Sequence, residues 1–92
     1  MIQISKMASF GDWMAGLSDI RLRARIAASI DRMALGNPSD VSLAGEALNR
    51  LSIDSDLGYR VFFTRDTVTR NRRSITRIIL LCGGDRSLNL RG

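Results

Sequence analysis

Arginine is the side chain in this sequence best suited to chemistry. Thirteen of the 14 basic residues are Arg, and Lys6 is the single Lys. A guanidinium offers a planar fork of donors that grips a phosphate at two points, and it stays charged at any working pH. The distribution says more than the count. Residues 1–58 hold 6 basic and 7 acidic side chains, net −1; residues 59–92 hold 8 and 2, net +6. A high-GC genome explains Arg in place of Lys but leaves the clustering unexplained. The densest group is Arg70, Arg72 and Arg73, flanked by Arg65 and Arg77. Such a cluster can track a nucleic-acid backbone, with affinity from counterion release, or simply solubilise a hairpin loop. Arg60 is read either as a phosphate clamp on an open sheet face or as a solvated strand residue paired with Asp54. Arg86 follows Gly83-Gly84-Asp85, where paired glycines can turn backbone N–H groups toward an anion or form an ordinary turn. Arg21, Arg25 and Arg32 read as a solvated helix face.

Other chemistries lack their residues. The chain contains no His, and Cys82 is its one cysteine. The usual general base, His-based triads, a zinc site and an intrachain disulfide are therefore outside its means. No cofactor motif is present, neither a dinucleotide fingerprint nor a phosphate-loop lysine. Phe10, Trp13, Met14, Tyr59 and Phe63 read as core, while Phe62 beside Arg60 could stack on a base.

The elements that must position these side chains follow from periodicity. Ile2 and Ile4 mark a short strand. Ser9 and Asp12 read as a helix start, with Phe10, Trp13, Met14 and Leu17 on one face. Ser18-Asp19 opens a second, longer helix carrying Leu22, Ile26, Ile30 and Met33 on its apolar side; Gly36-Asn37-Pro38 ends it. Asp40 to Ala47 reads as a connection with a turn at Gly45. Leu51 and Ile53 mark a strand, residues 55–58 a turn, and Tyr59 to Thr64 a strand with Tyr59, Val61 and Phe63 on one face. Arg65 to Ser74 reads as a polar loop. Ile75 to Cys82 reads as a central strand buried on both faces, ended by Gly83-Gly84-Asp85. The expectation is one α+β domain over residues 1–92: an N-terminal strand and helix hairpin packed on an antiparallel meander, in the order β-α-α-β-β-β. The 92 residues, 45% hydrophobic and 25% charged, are ordinary for one globular domain. No apolar run reaches membrane-span length and the N-terminus lacks a signal-peptide pattern, so a cytoplasmic protein without membrane contact is expected.

Several segments together resemble the RelE/ParE toxin superfamily, and within it the HigB-like addiction module killer proteins. They are residues 31–38 (D-R-M-A-L-G-N-P), 51–54 (L-S-I-D), 58–64 (G-Y-R-V-F-F-T) and 80–87 (L-L-C-G-G-D-R-S). The resemblance spans Met1 to about Ser87. It implies a microbial toxin of a type II toxin–antitoxin module, held inactive by a cognate antitoxin, often a helix-turn-helix protein. Many members cleave mRNA on the ribosome, whereas the ParE branch poisons DNA gyrase. On this resemblance Arg60 and Arg86 take the catalytic positions, holding the scissile phosphate. Arg50, Arg65, Arg70, Arg72, Arg73 and Arg77 would bind RNA. Ser52 stands where this branch commonly carries Arg, with Arg50 two residues earlier on the same strand face. The family usually continues past the last segment into a C-terminal helix. Three activities stay open at this point: a ribosome-dependent mRNA endoribonuclease, a gyrase inhibitor without enzymatic action, and an inactive antitoxin-binding homologue.

Overall fold

The computed structural model describes residues 2–36, 41–53 and 58–85. Two helices pack on one side of a five-stranded mixed sheet, an α+β architecture. The strands are β1 (Ile2–Lys6), β2 (Val41–Leu43), β3 (Asn49–Ser52), β4 (Arg60–Arg70) and β5 (Arg73–Gly84); the helices are α1 (Ala8–Ala15) and α2 (Ile20–Ala34). Their order across the sheet is β1-β5-β4-β3-β2.

The four later strands form the expected antiparallel meander, but β1 departs from it by pairing parallel to β5, with Ile4 against Ile78. Met7 leads out of β1, donating its N–H to the Leu80 carbonyl at 2.8 Å, and the chain turns directly into α1. Met7, not Ser9, occupies the N-cap of α1, where no side chain caps the helix. The Ser9 hydroxyl instead donates to the Leu81 carbonyl, fastening the first turn of α1 to β5. Asp19 does cap α2: its carboxylate accepts from the N–H groups of Arg21 (2.9 Å) and Leu22 (3.3 Å), which leaves fewer donors orphaned at the helix entrance. Gly36, at φ +94°, takes the left-handed conformation just past α2, as a glycine can without steric cost.

The core lies between α2 and the sheet. Ile26, Ile30 and Met33 meet Leu51, Val61, Phe63, Ile78 and Leu80, with Phe10 added from α1. The i, i+4, i+7 spacing on α2 and the two-residue spacing on the strands therefore aim at one layer. Arg21, Arg25 and Arg32 are exposed, as their opposite phase requires, and Arg32 donates to the buried Ser29 hydroxyl at 3.1 Å.

Three readings of the strands need correction. Residues 41–47 are not merely a connection: Val41–Leu43 adds a strand to β3, and the bend at residues 44–47 follows, with Ala44 N–H on the Leu48 carbonyl at 2.9 Å. Arg65–Ser74 is not a loop. β4 and β5 continue to a two-residue turn at Asn71-Arg72, because Thr67, Val68, Thr69, Ile75 and Thr76 favour extended backbone more than the charges oppose it. β5 is central in its pairing but not buried on both faces: Ile78 and Leu80 are buried, whereas Ile79 is exposed. The glycines do not break β5 either, since Gly83 and Gly84 pair with Val61 and Arg60.

Candidate nucleic-acid interface

Strand register decides which arginines share a surface. Leu51 pairs with Val61, and both lie in the core, so their neighbours Arg50, Ser52, Arg60 and Phe62 face away from the helices. Arg50 sits opposite Phe62 and Arg60 opposite Ser52, which makes the two arginines diagonal neighbours about 7 Å apart. Arg50 leans toward the sheet edge, its Nε donating to Ser42 Oγ at 3.2 Å. Arg60 is half-buried and engaged with a neighbouring group. Phe62 is fully enclosed on this face, so it offers no ring for base stacking.

The same face continues along the long hairpin. Beyond an irregularity in the register between Phe62 and Phe63, Thr64 pairs with Ile79, Asp66 with Arg77, Val68 with Ile75 and Arg70 with Arg73. These pairs alternate with Phe63–Leu80 and Arg65–Ile78, which point to the helix side. Arg65 therefore starts from the helix side, although it also borders the groove that Arg77 lines. It lines a small pocket of about 260 Å³ with Met33, Gly36, Val41, Asn49 and Phe63. Arg50, Arg60, Arg70, Arg73 and Arg77 share the outer face, and Arg72 sits at the hairpin turn.

They do not form one pocket. Arg60 and Arg70 are ten residues apart on a continuous strand, a span of roughly 33 Å at the usual rise. A single phosphate cannot touch both, but a segment of nucleic acid can. The arginines fall into a basal pair, Arg50 and Arg60, and a distal group, Arg70, Arg72 and Arg73. Arg86 lies outside the described residues; the strand leading to it ends at Gly84, the cross-strand partner of Arg60. Gly83 and Gly84 are strand residues, and among the described glycines only Gly36 and Gly58 have positive φ. Gly83 and Gly84 therefore do not form the anion-binding turn that the Gly-Gly-Asp sequence allows.

Arg77, midway along the face, already has an anion. Its Nε donates to Asp66 Oδ1 at 2.9 Å and its terminal nitrogen to Oδ2, the two-pronged geometry that guanidinium and carboxylate favour. The hydrogen bond from Arg77 holds the Asp66 carboxyl below the ordinary 3.8. The bond to Asp66 likewise raises Arg77. Because the Asp66 value is depressed in the fold, the pair contributes above the ordinary carboxylate value and is lost as pH falls below it. The contribution is small, since both side chains are about half exposed and screened by water. This pair borders a groove of about 730 Å³ lined by Gln3, Ser5, Thr64, Arg77 and Ile79. Sequence reading missed both. The signal was present: Asp66 and Arg77 stand equally far from a two-residue turn at 71–72. Asp66→Asn should free the Arg77 guanidinium and tighten binding of a generic polyanion such as heparin by a few-fold, with the melting midpoint nearly unchanged. Salt-gradient elution from a heparin column reads this out; elution at an unchanged or lower salt concentration would exclude Arg77 from the anion surface.

Cys82 lies beside Phe62 in the register, and burial pushes its thiol above the ordinary 9.0. It stays protonated at neutral pH and is a poor nucleophile. Among the described residues no helix is long and apolar enough to cross a membrane.

No protein-family model matches the chain, and no solved structure matches it. An uncharacterized protein of Haemophilus influenzae is 36% identical over 86 residues, covering 94% of this chain and 80% of that protein. With so much of both chains aligned at that identity, this protein belongs to the same family as the Haemophilus protein.

Proposed function

We propose that the chain is the toxin of a type II toxin–antitoxin module, a RelE-like member of the RelE/ParE superfamily in its HigB-like branch, and that it cleaves mRNA on the ribosome. The observation that carries this reading is the placement of Arg50 and Arg60 as diagonal neighbours on the sheet face opposite the helices. The strand–helix–helix–sheet order agrees with the fold the resemblance implies.

In this mechanism the 2′-hydroxyl of the message attacks the adjacent phosphorus and the bond to the 5′-oxygen breaks. Arg60 and Arg86 hold the phosphate and neutralise the charge that builds on its oxygens. Arg50 and the distal arginines hold flanking RNA. The carboxylate nearest Arg60 in the register is Asp85, one residue past its cross-strand partner Gly84 and already engaged with another group, while Asp66 is six residues away along β4 and bonded to Arg77. Positioning by the ribosome must therefore supply much of the rate, and free RNA is cut poorly. The antitoxin partner is a small helix-turn-helix protein encoded beside this one.

Inducing the protein in growing cells and mapping mRNA ends tests the proposal. New ends within translated messages, absent when translation is blocked, are the expected result. Growth arrest with intact messages would defeat it. The absence of histidine from the chain favours one rival, a gyrase inhibitor without catalysis. Loss of supercoiling by purified gyrase in the presence of the protein would establish that rival.

A further inference from the structure

The end of the β4–β5 hairpin projects as a two-stranded ribbon. β3 pairs with β4 only from Arg60 to Phe63, and β1 pairs with β5 only from Thr76 to Leu80. Among the described residues Val68–Ile75, Thr69–Ser74 and Arg70–Arg73 are thus joined to each other and to no third strand. Residues 68–75 carry three arginines and no acid. Among the described residues Arg70, Arg72 and Arg73 have no hydrogen-bonding or ionic partner, and Arg70 directly faces Arg73. Like charges placed opposite one another destabilise a ladder, so the hairpin carries this repulsion at its tip.

The turn adds a second anomaly. Asn71 and Arg72 have φ of 50° and 65°, and they are the only non-glycine residues with positive φ among those described. Two-residue hairpin turns of this kind favour Asn-Gly. The chain places Asn at the first position and Arg at the second, where glycine would relieve strain. A strained position holding a charged side chain at an exposed tip points to use of that side chain.

We infer that this tip is a second anion site, a finger that grips the phosphate backbone of double-helical nucleic acid. Proteins that hold single strands use aromatic platforms. Here Phe10, Phe62 and Phe63 are buried, Trp13 and Tyr59 pack against the core, and the tip has no aromatic residue. What remains is a pair of strands with guanidinium groups on both sides of the turn. That arrangement matches phosphates held at fixed spacing. A two-stranded ribbon fits the major groove of B-form DNA, and A-form RNA presents its phosphates along a shallow minor groove. The chemistry is shared, and the source is settled by assay. The finger lies a strand's length from Arg60 and acts whether or not Arg60 serves in cleavage.

The test uses the full chain, titrated by fluorescence anisotropy against duplex RNA and duplex DNA of about 16 base pairs and against unstructured single-stranded RNA of equal length. One of the duplexes should bind on the order of tenfold tighter than the single strand. The tighter duplex identifies the source. Arg72→Gly should weaken duplex binding about tenfold and make the dependence of log affinity on log salt shallower by about one. The same substitution should raise the melting temperature, because it builds the favoured Asn-Gly turn. Arg21→Ala, on the exposed side of α2, should leave duplex affinity intact. A stabilised Arg72→Gly protein with unchanged affinity would overturn the inference. Binding of the single strand as tightly as either duplex would overturn it too, as would an equal loss from Arg21→Ala.

Discussion

Gly83→Ala is expected to destabilise the protein by about 2–3 kcal/mol, a large effect for one added methyl group. A Cβ at this position would lie 2.2 Å from Trp13 Cζ3, 2.4 Å from Cε3 and 2.6 Å from Cη2. The indole cannot yield cheaply. It packs beside Phe10 at a ring distance of 5.9 Å and beside Tyr59 at 6.3 Å, and Ser9 ties the same helix to the Leu81 carbonyl. The substitution therefore has to lift α1 from β5 or bend β5 away from β4. Gly11 on the same helix is the control: open space surrounds its missing Cβ, so Gly11→Ala should stabilise by about 0.5–1 kcal/mol. Urea melts of the two variants against the parent read both signs at once. A Gly83→Ala midpoint equal to the parent's would mean that Trp13 does not seat on Gly83.

The second large effect concerns the proposed chemistry. Arg60→Ala should lower message cleavage by at least about 100-fold, the usual cost of removing one group that stabilises transition-state charge. Growth of cells expressing it should recover, while circular dichroism and the melting curve stay near those of the parent. Arg60→Lys should recover only part of the activity, because an ammonium cannot grip a phosphate with a planar fork. Mapping message ends from all three strains gives the comparison. Unchanged toxicity in a folded Arg60→Ala protein would remove this side chain from the site.

Much of the fold was readable before any coordinates, because its signals are local. The face of α2 formed by Ile26, Ile30 and Met33 is a direct consequence of helical periodicity, and Asp19 is a cap by composition alone. The alternation through Tyr59, Val61 and Phe63 likewise placed Arg60 on the opposite face. The failures came where one local signal masked another. Five arginines between positions 65 and 77 looked like a solvated loop, and the turn chemistry of Asn71-Arg72 is hidden because Arg stands where Gly is usual. Ser9 looked like a cap, but tertiary contact claimed its hydroxyl for Leu81. Gly83-Gly84 resembled a strand break, whereas Gly83 is small to admit an indole from 70 residues away. That pairing is invisible to any local window. The candidate site was legible as a set of residue types but not as a layout. Only register puts Arg65 on the helix side of β4 and sets Asp66 against Arg77.

The parallel pairing of β1 carries a consequence for how the chain acquires its shape. Ile2 meets Thr76, and Lys6 meets Leu80, so β1 has no partner until β5, more than 60 residues later in the chain, has been synthesised. α1 leans on that same late strand through Ser9 and Trp13. Contacts between such distant positions form slowly, since a long loop must close before they give any return. The nascent N-terminal segment, with Ile2, Ile4 and Phe10, therefore waits on the ribosome as an unpaired, partly apolar stretch. Assembly order, and not only composition, keeps the arginine-bearing surface from existing before β5 has emerged.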